Sequence, residues 1–496
     1  MISARSHRQP LNGNKVLLLG IIACWSLTSC AMFQKAESDK KETDQGDTLE
    51  PIQGRRVYDP EKGTYVVIEE TLQEKMDTII WKDIPTSTYP PITSAVSEMP
   101  NDLPGEVVSV DRNTGSEFFS SYNVAILLPF LTDKMNLSTG TNGSVPENSA
   151  WALNFYSGAR LALDVLSDEG VNLNVAVIDT KASEETCIAL ARTNTDLRNA
   201  HLIIGPYRRN NVAIMAQLAK DQDIVLVSPF TAATGVSSDN PNYIQVNPTL
   251  EAHCKTIMRH ALRSYSPENI VLVSKDIQAE RARLQYFHDE YKREMNNRVT
   301  VPLREFIIRD ESANFNQLNV MPFVSVGDTA VFIVPSWSDE TFIYALLRKI
   351  ELSKSPESFV VVYGMPQWMA FDKIDFSYYE KLHIHISASS YIDPISVDVQ
   401  SFKRQYFDRF GAVPVEESYL GFDVTLYFGR MLHKYGSKFQ RSFDRDPYTG
   451  LQTRFDFQPV MKANATGSDR YQIDQYENSF IHILKFQDYQ FRPADD

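Results

Sequence analysis

The stretch Val124-Ala125-Ile126-Leu127-Leu128-Pro129-Phe130, followed by the helical pattern Trp151 to Leu163, decides the fold. Five consecutive apolar residues closed by a proline read as a short strand buried on both faces. In the pattern that follows, Phe155, Ala159, Ala162 and Leu163 recur at three- and four-residue spacing, as on the buried face of a helix. The alternation continues through the apolar runs Leu173 to Ile178, Leu202 to Ile204 and Ile224 to Val227, with a helical pattern at Asn211 to Lys220. It then repeats, with runs at Ile270 to Val273, Ala330 to Val334, Phe359 to Val362 and His383 to Ile386. Helical patterns intervene at Ala279 to Met295 and Thr341 to Leu352. Continuously apolar strands alternating with helices predict an α/β fold with parallel sheets covered on both faces. Two sets of four strands predict two similar lobes. Amphipathic helices are expected at Ser401 to Phe410 and Tyr419 to Tyr435, and late strands at Phe455 to Phe457 and Phe480 to Leu484.

Upstream of this body the texture differs. Arg5, Arg8 and Lys15 precede the apolar run Val16 to Ser26, which has the length of a signal-peptide core and is too short to span a bilayer. It ends in Leu27-Thr28-Ser29-Cys30, which resembles a bacterial lipobox, with small residues before the cut and a thiol after it. Residues 1–29 are therefore expected to be removed and Cys30 to be lipidated, anchoring the chain to a membrane. Ala31, in place of an aspartate, favours an outer-membrane address. Gln34 to Glu50 is charged and nearly free of apolar residues, and Pro85 to Pro104 is rich in Pro, Ser and Thr. Residues 30–120 thus read as a disordered tether. One patterned piece within them, Val57 to Trp81, is expected to form a hairpin or to dock on the body.

A formal net charge of −14 argues against nucleic acid and against anionic lipid head groups as partners, and 43% hydrophobic residues suffice for two cores. Of four cysteines, Cys24 leaves with the signal and Cys30 carries lipid. Cys187 and Cys254 then stand either as buried thiols or as one disulfide.

Several segments together resemble the type I periplasmic binding proteins of the branched-chain amino-acid-binding group. They are Val124 to Phe130, Phe155 to Asp164, Asp179-Thr180, Ile203-Ile204-Gly205-Pro206, Val227-Ser228-Pro229-Phe230-Thr231, Val362 to Pro366 and Gly421-Phe422-Asp423. The resemblance spans residues 121–496 and is nearest to envelope lipoproteins of the Bacteroidetes type, although no peptidoglycan-binding LysM repeat is present. It implies two Rossmann-like lobes joined by three crossovers. Lobe one would comprise about 121–248 and 394–450, and lobe two about 249–393 and 451–496.

In open α/β sheets ligands bind beyond the carboxyl ends of the strands. Those ends carry Tyr207-Arg208, Ser228, Phe230, Thr231 and Trp337, which are the candidate cleft residues. The aromatics suit a flat apolar wall, or else they pack strand–helix corners. In the amino-acid binders the segment after the third strand commonly supplies serine hydroxyls; here it reads Tyr207-Arg208-Arg209, which suits an anionic group if the arginines are not simply solvated.

Enzyme readings find little. The chain has no Gly-x-Ser-x-Gly elbow and no Gly-x-x-x-x-Gly-Lys loop, and His383 and His385 alternate on a strand with no third metal ligand nearby in sequence. No cofactor or metal is expected. Two functions remain. One is a lipid-anchored solute-binding or sensing protein of the cell envelope, closing on a small molecule of unknown class. The other is an interaction protein with a vestigial cleft, such as a peptidoglycan-synthase activator or envelope scaffold.

Overall fold

The computed structural model describes residues 55–59, 64–68, 106–135, 145–309, 318–324, 327, 329–462 and 472–494. The expected signal peptide and Cys30 lie outside these residues. The chain divides into two units, residues 1–96 and 97–496. In the first, strands β1 (Arg55–Asp59) and β2 (Thr64–Ile68) pair as an antiparallel hairpin.

The second unit holds two seven-stranded sheets. The first sheet is built from β5 (Tyr122–Leu128), β6 (Leu173–Asp179), β7 (Leu202–Ile204), β8 (Val225–Ser228) and β9 (Tyr243–Gln245). All are parallel, in the order β6-β5-β7-β8-β9. The second repeats that order with β10 (Ile270–Lys275), β11 (Arg304–Ile308), β12 (Thr329–Ile333), β13 (Phe359–Gly364) and β14 (Ile384–Ala388), as β11-β10-β12-β13-β14. In each sheet the strand order reverses between the first strand and the third, which leaves a crevice at their carboxyl ends.

The helices between the strands are α1 (Ala150–Asp168), α2 (Glu184–Thr193), α3 (Thr195–Arg198) and α4 (Arg209–Gln222) in lobe one. Lobe two has α5 (Leu250–Ser264), α6 (Gln278–Glu294), α7 (Glu340–Ser353) and α8 (Phe376–Lys381). Their starts follow local capping chemistry. Ser183, Thr249 and Asp339 each accept a hydrogen bond from a backbone N–H in the first turn of α2, α5 and α7.

After β14 the chain returns to lobe one. Helices α9 (Val397–Phe410) and α10 (Glu416–Tyr435) pack on α1. The crossing of α1 and α10 brings backbone against backbone. A Cβ on Gly158 would lie 1.8 Å from the Ser418 carbonyl oxygen, and one on Gly421 would lie 2.0 Å from that of Phe155. Two glycines, one on each helix, make the crossing possible.

Two expectations are corrected here. The tether was expected to run to residue 120, yet β3 (Val107–Asp111) and β4 (Ser116–Phe119) form a hairpin on lobe one. Side-chain bonds hold it: the Ser116 hydroxyl donates to Tyr435 O and accepts from Lys438 N, and Glu117 N donates to Ser437 Oγ. The tail 451–496 was expected to belong wholly to lobe two. Instead, after the short antiparallel pair β15 (Tyr448–Thr449) and β16 (Arg454–Phe455), β17 (Phe457–Met461) and β18 (Ile473–Asn478) extend the first sheet, β18 lying parallel to β9. Only β19 (His482–Gln487) and β20 (Gln490–Pro493) join the second. Phe457 and Tyr476 explain the division, because both are buried in the lobe-one cluster of Tyr427, Phe428 and Phe443. The third crossover is therefore Ser479 to Ile481, after β18.

Cys187 and Cys254 are free and buried in different cores, that of lobe one and that of lobe two.

The α1–α10 contact makes a direct prediction. Gly421→Ala drives a methyl into the Phe155 carbonyl, which a helix backbone cannot yield cheaply. It is expected to cost about 1–3 kcal/mol or more, seen as a lowered thermal midpoint; an unchanged midpoint would contradict the close crossing.

Candidate functional site

The carboxyl ends of β5, β6 and β7 open into a cleft of about 510 Å³, lined among others by Pro129, Leu131, Lys134, Trp151, Lys181, Tyr207 and Arg208. It sits at the point where strand order reverses in the first sheet. The turn after β7 places Tyr207. Gly205 has φ +97° and packs so closely under the strand that a Cβ would lie 2.3 Å from Leu127 O. Tyr207 then stands 46% exposed at the rim. Its ring lies 4.5 Å from that of Trp151 and 5.6 Å from that of Phe230; Trp151 and Phe230 are 4.9 Å apart and Phe155 backs Phe230 at 5.1 Å. The result is an aromatic wall held on strand ends and one helix start. Tilted and edge-to-face pairs of this kind are favourable beyond their buried area, by about 0.5–1.5 kcal/mol each.

The loops of the larger cleft are fixed by Asp179 at the end of β6. Burial alone would raise its carboxyl, but hydrogen bonds from the Thr132 and Lys181 backbones, the Thr132 hydroxyl and Leu131 N outweigh it and hold the group ionised below its ordinary range. Lys134, Lys181 and Arg208 make no ion pair among the described residues. With Glu147 the only carboxylate among the lining residues, the cleft has a local positive balance that opposes the charge of the whole chain.

A second, smaller cleft of about 270 Å³ lies behind Tyr207 at the hinge. Its lobe-one side is Tyr207, Pro229, Phe230, Val246, Asn247, Glu416, Glu417 and Leu420; Ser389 and Ser390 come from the end of β14, and Gln452 and Thr453 from the return segment. Asn247 Nδ2 donates to Phe230 O at 2.9 Å, and Ser390 Oγ donates to Glu416 Oε1 at 2.6 Å. Asp423 on α10 fastens the return segment. It accepts Leu451 N at 2.8 Å and Gln452 N at 3.1 Å, while Gln452 O accepts Tyr391 N at 2.7 Å. Complete burial raises the Asp423 carboxyl from 3.8 to about 7, and these two N–H bonds work against that rise.

Lobe two presents its strand ends differently. Lys275 Nζ lies 2.8 Å from Asp339 Oδ2 and 3.4 Å from Glu280 Oε1, and Ser336 Oγ donates to Glu280. Trp368 is buried, its Nε1–H donating to Ser336 O. These groups bind one another.

Of the residues expected to line the cleft, the structure brings together Tyr207, Arg208 and Phe230. Ser228, Thr231 and Trp337 line neither cleft. Ser228 is buried within the sheet opposite Gln245, and Thr231 Oγ1 accepts Ala233 N within its own turn. Trp337 packs on the lobe-two core beneath the Arg283 guanidinium, 4.7 Å from its ring. Arg209 turns away to donate to Thr234 O. His383 packs on Phe359 and His385 on Tyr363, away from either cleft. Sequence reasoning from strand ends missed Trp151, Glu416, Glu417, Gln452 and Thr453, which come from helix starts and the return segment. The aromatic at the start of the helix after β5 was the one available signal, since that start faces the same edge as the strand ends.

No protein-family model matches the chain, and no curated protein matches it. Solved structures do. A protein of Rhodospirillum rubrum described as a branched-chain amino acid ABC transporter superposes with a TM-score of 0.53 at 14% identity, over 75% of this chain and 100% of its own. An ABC transporter substrate-binding protein of Desulfitobacterium hafniense in complex with Leu gives 0.46 at 13% identity, over 75% and 99%. With its two sheets of matching strand order and three crossovers, the chain has the type I periplasmic binding protein fold.

The Asp423 clasp has a pH signature. Because folding raises this carboxyl from 3.8 to about 7, the folded state holds a proton there that the unfolded chain has lost. Its contribution is full below about pH 4 and is lost as pH rises through 7. Asp423→Asn is expected to flatten that fall in thermal midpoint. It should also cost about 1–3 kcal/mol, since an amide NH₂ then faces one of the two backbone N–H groups. An undiminished pH slope in the variant would contradict the assignment.

Proposed function

We propose that this chain is a lipid-anchored cell-envelope protein that binds a small molecule between its two lobes, as a solute-binding or sensing module and not as an enzyme. One observation carries the reading. Tyr207 stands half-exposed at a strand-order switch point, packed at a tilt on Trp151 and edge-to-face on Phe230, with an open cleft on either side. Concave sites with aromatic walls and a few convergent polar groups are where small ligands bind. The fold agrees, because the R. rubrum neighbour is described as a branched-chain amino acid ABC transporter. Anchoring rests on the lipobox-like Leu27 to Cys30, and among the described residues no helix is long and apolar enough to cross a membrane. The outer membrane, with the body facing the periplasm, is the address this reading favours.

A second reading keeps one specific observation in its favour. The lobe-two strand ends are occupied by the Lys275–Glu280–Asp339 group, so that lobe offers little to a solute. A vestigial cleft on an interaction protein, binding an envelope partner such as a peptidoglycan synthase, would look like this on both lobes. On lobe one it does not.

Thermal unfolding of the protein against amino acids, peptides, nucleosides, sugars and cell-wall fragments tests the choice. A solute at 100 times its dissociation constant stabilises by about 2.7 kcal/mol. Tyr207→Ala is expected to weaken that solute about tenfold, while Trp337→Phe leaves its affinity unchanged. No response to any class, from a well-folded protein, would transfer the assignment to the interaction protein.

A further inference from the structure

We infer that the smaller cleft takes the ammonium group of a cationic amine, at Glu416, Glu417, Gln452 and Thr453 beside the rings of Tyr207 and Phe230. The inference rests on the solute-binding reading and names the ligand class for one half of its site.

The lining of this cleft is acceptor-rich and cation-free. Glu416 and Glu417 contribute two carboxylates, no Lys or Arg lines the cavity, and neither carboxylate makes an ion pair among the described residues. Ser390 satisfies one oxygen of Glu416 by hydrogen bonding and leaves its charge in place.

An independent observation points to a missing donor. Gln452 and Thr453 are only 3% and 5% exposed, yet Gln452 Oε1 and Thr453 Oγ1 have no hydrogen-bond partner. Buried polar atoms are normally paired, and leaving one unpaired is costly. Both residues line the same cavity as the carboxylates. A primary ammonium carries three donors and no acceptor, so it supplies the donors that Gln452 and Thr453 lack while the carboxylates balance its charge. The Tyr207 and Phe230 rings add faces that attract a cation. A carboxylate or phosphate would meet two like charges there and is excluded from this half. The Lys134, Lys181 and Arg208 cleft on the other side of Tyr207 is where an anionic group would be accepted.

Three probes of one length separate the classes: putrescine, 1,4-butanediol and succinate, which differ only in their ends, with choline added as a quaternary cation. Calorimetric titration of the full chain is expected to show binding of putrescine, weaker binding of choline, whose quaternary nitrogen has no N–H to donate, and none of the diol or of succinate. Glu416→Gln with Glu417→Gln should weaken that binding tenfold or more, while Glu357→Gln, an exposed charge on lobe two, leaves it unchanged. Both cleft glutamates are in the first turn of α10 at the surface, so the unliganded thermal midpoint of the double variant should fall only slightly, through loss of their charge at the helix N-terminus. Amine binding indifferent to both carboxylates, or equal binding of the diol, overturns the inference. A different solute that stabilises the protein in a Tyr207-dependent way, with no amine bound, overturns the amine assignment and leaves solute binding standing. No response to amines or to any other solute ends both.

Discussion

Everything at the cleft depends on the crossing of α1 and α10. Lobe one is assembled from segments more than 200 residues apart, and this contact joins them. Gly158 and Gly421 let the helix backbones touch, and each sits where any side chain would collide with a carbonyl. The crossing fixes Trp151 at the start of α1 relative to Glu416, Glu417 and Leu420 at the start of α10. It also sets Asp423 against the return segment, so that Gln452 and Thr453 are held at the hinge by two backbone hydrogen bonds. A packing constraint between helices thus becomes the geometry of a binding wall.

The two lobes share a topology and differ in what they do with their strand ends. In lobe one those ends open into two clefts, one lined by Lys134, Lys181 and Arg208 and the other by Glu416 and Glu417. In lobe two the equivalent positions are filled by a buried lysine with two carboxylates and by a tryptophan bonded to Ser336 O. Buried ion pairs of this kind contribute little net stability against an apolar replacement, but removing one partner is costly. The arrangement leaves the lobe-two strand ends occupied by their own side chains. On the proposed reading, binding chemistry resides on lobe one and on the hinge.

Much of the fold was legible because parallel strands buried on both faces write themselves as unbroken apolar runs. Val124 to Leu128 and Val360 to Val362 are examples; seven strands of that type were readable, and so was the half-exposed edge strand Leu173 to Asp179. Tyr243 to Gln245 was not, being three residues long with a polar end, nor was the edge strand Arg304 to Ile308, whose first residues are charged. The allocation of Phe457 and Tyr476 was illegible for another reason: local pattern gives a strand but not the sheet it joins. The site was half legible. Tyr207, Arg208 and Phe230 follow from the rule that ligands meet strand ends, whereas Ser228 and Trp337 obey the same rule in sequence and turn inward in space. Glu416, Gln452 and Thr453 reach the cleft only through the α1–α10 crossing, which no local signal announces.

The central claim is that solute binding is carried by lobe one and the hinge. Hydrogen–deuterium exchange of the protein with and without a saturating solute measures this directly. The account predicts slowed exchange centred on 205–208, 229–231, 246–247 and 416–420, with smaller changes at the lobe-two segments 275–280 and 335–339. Protection centred on those lobe-two segments, or on a surface remote from both clefts, would contradict it.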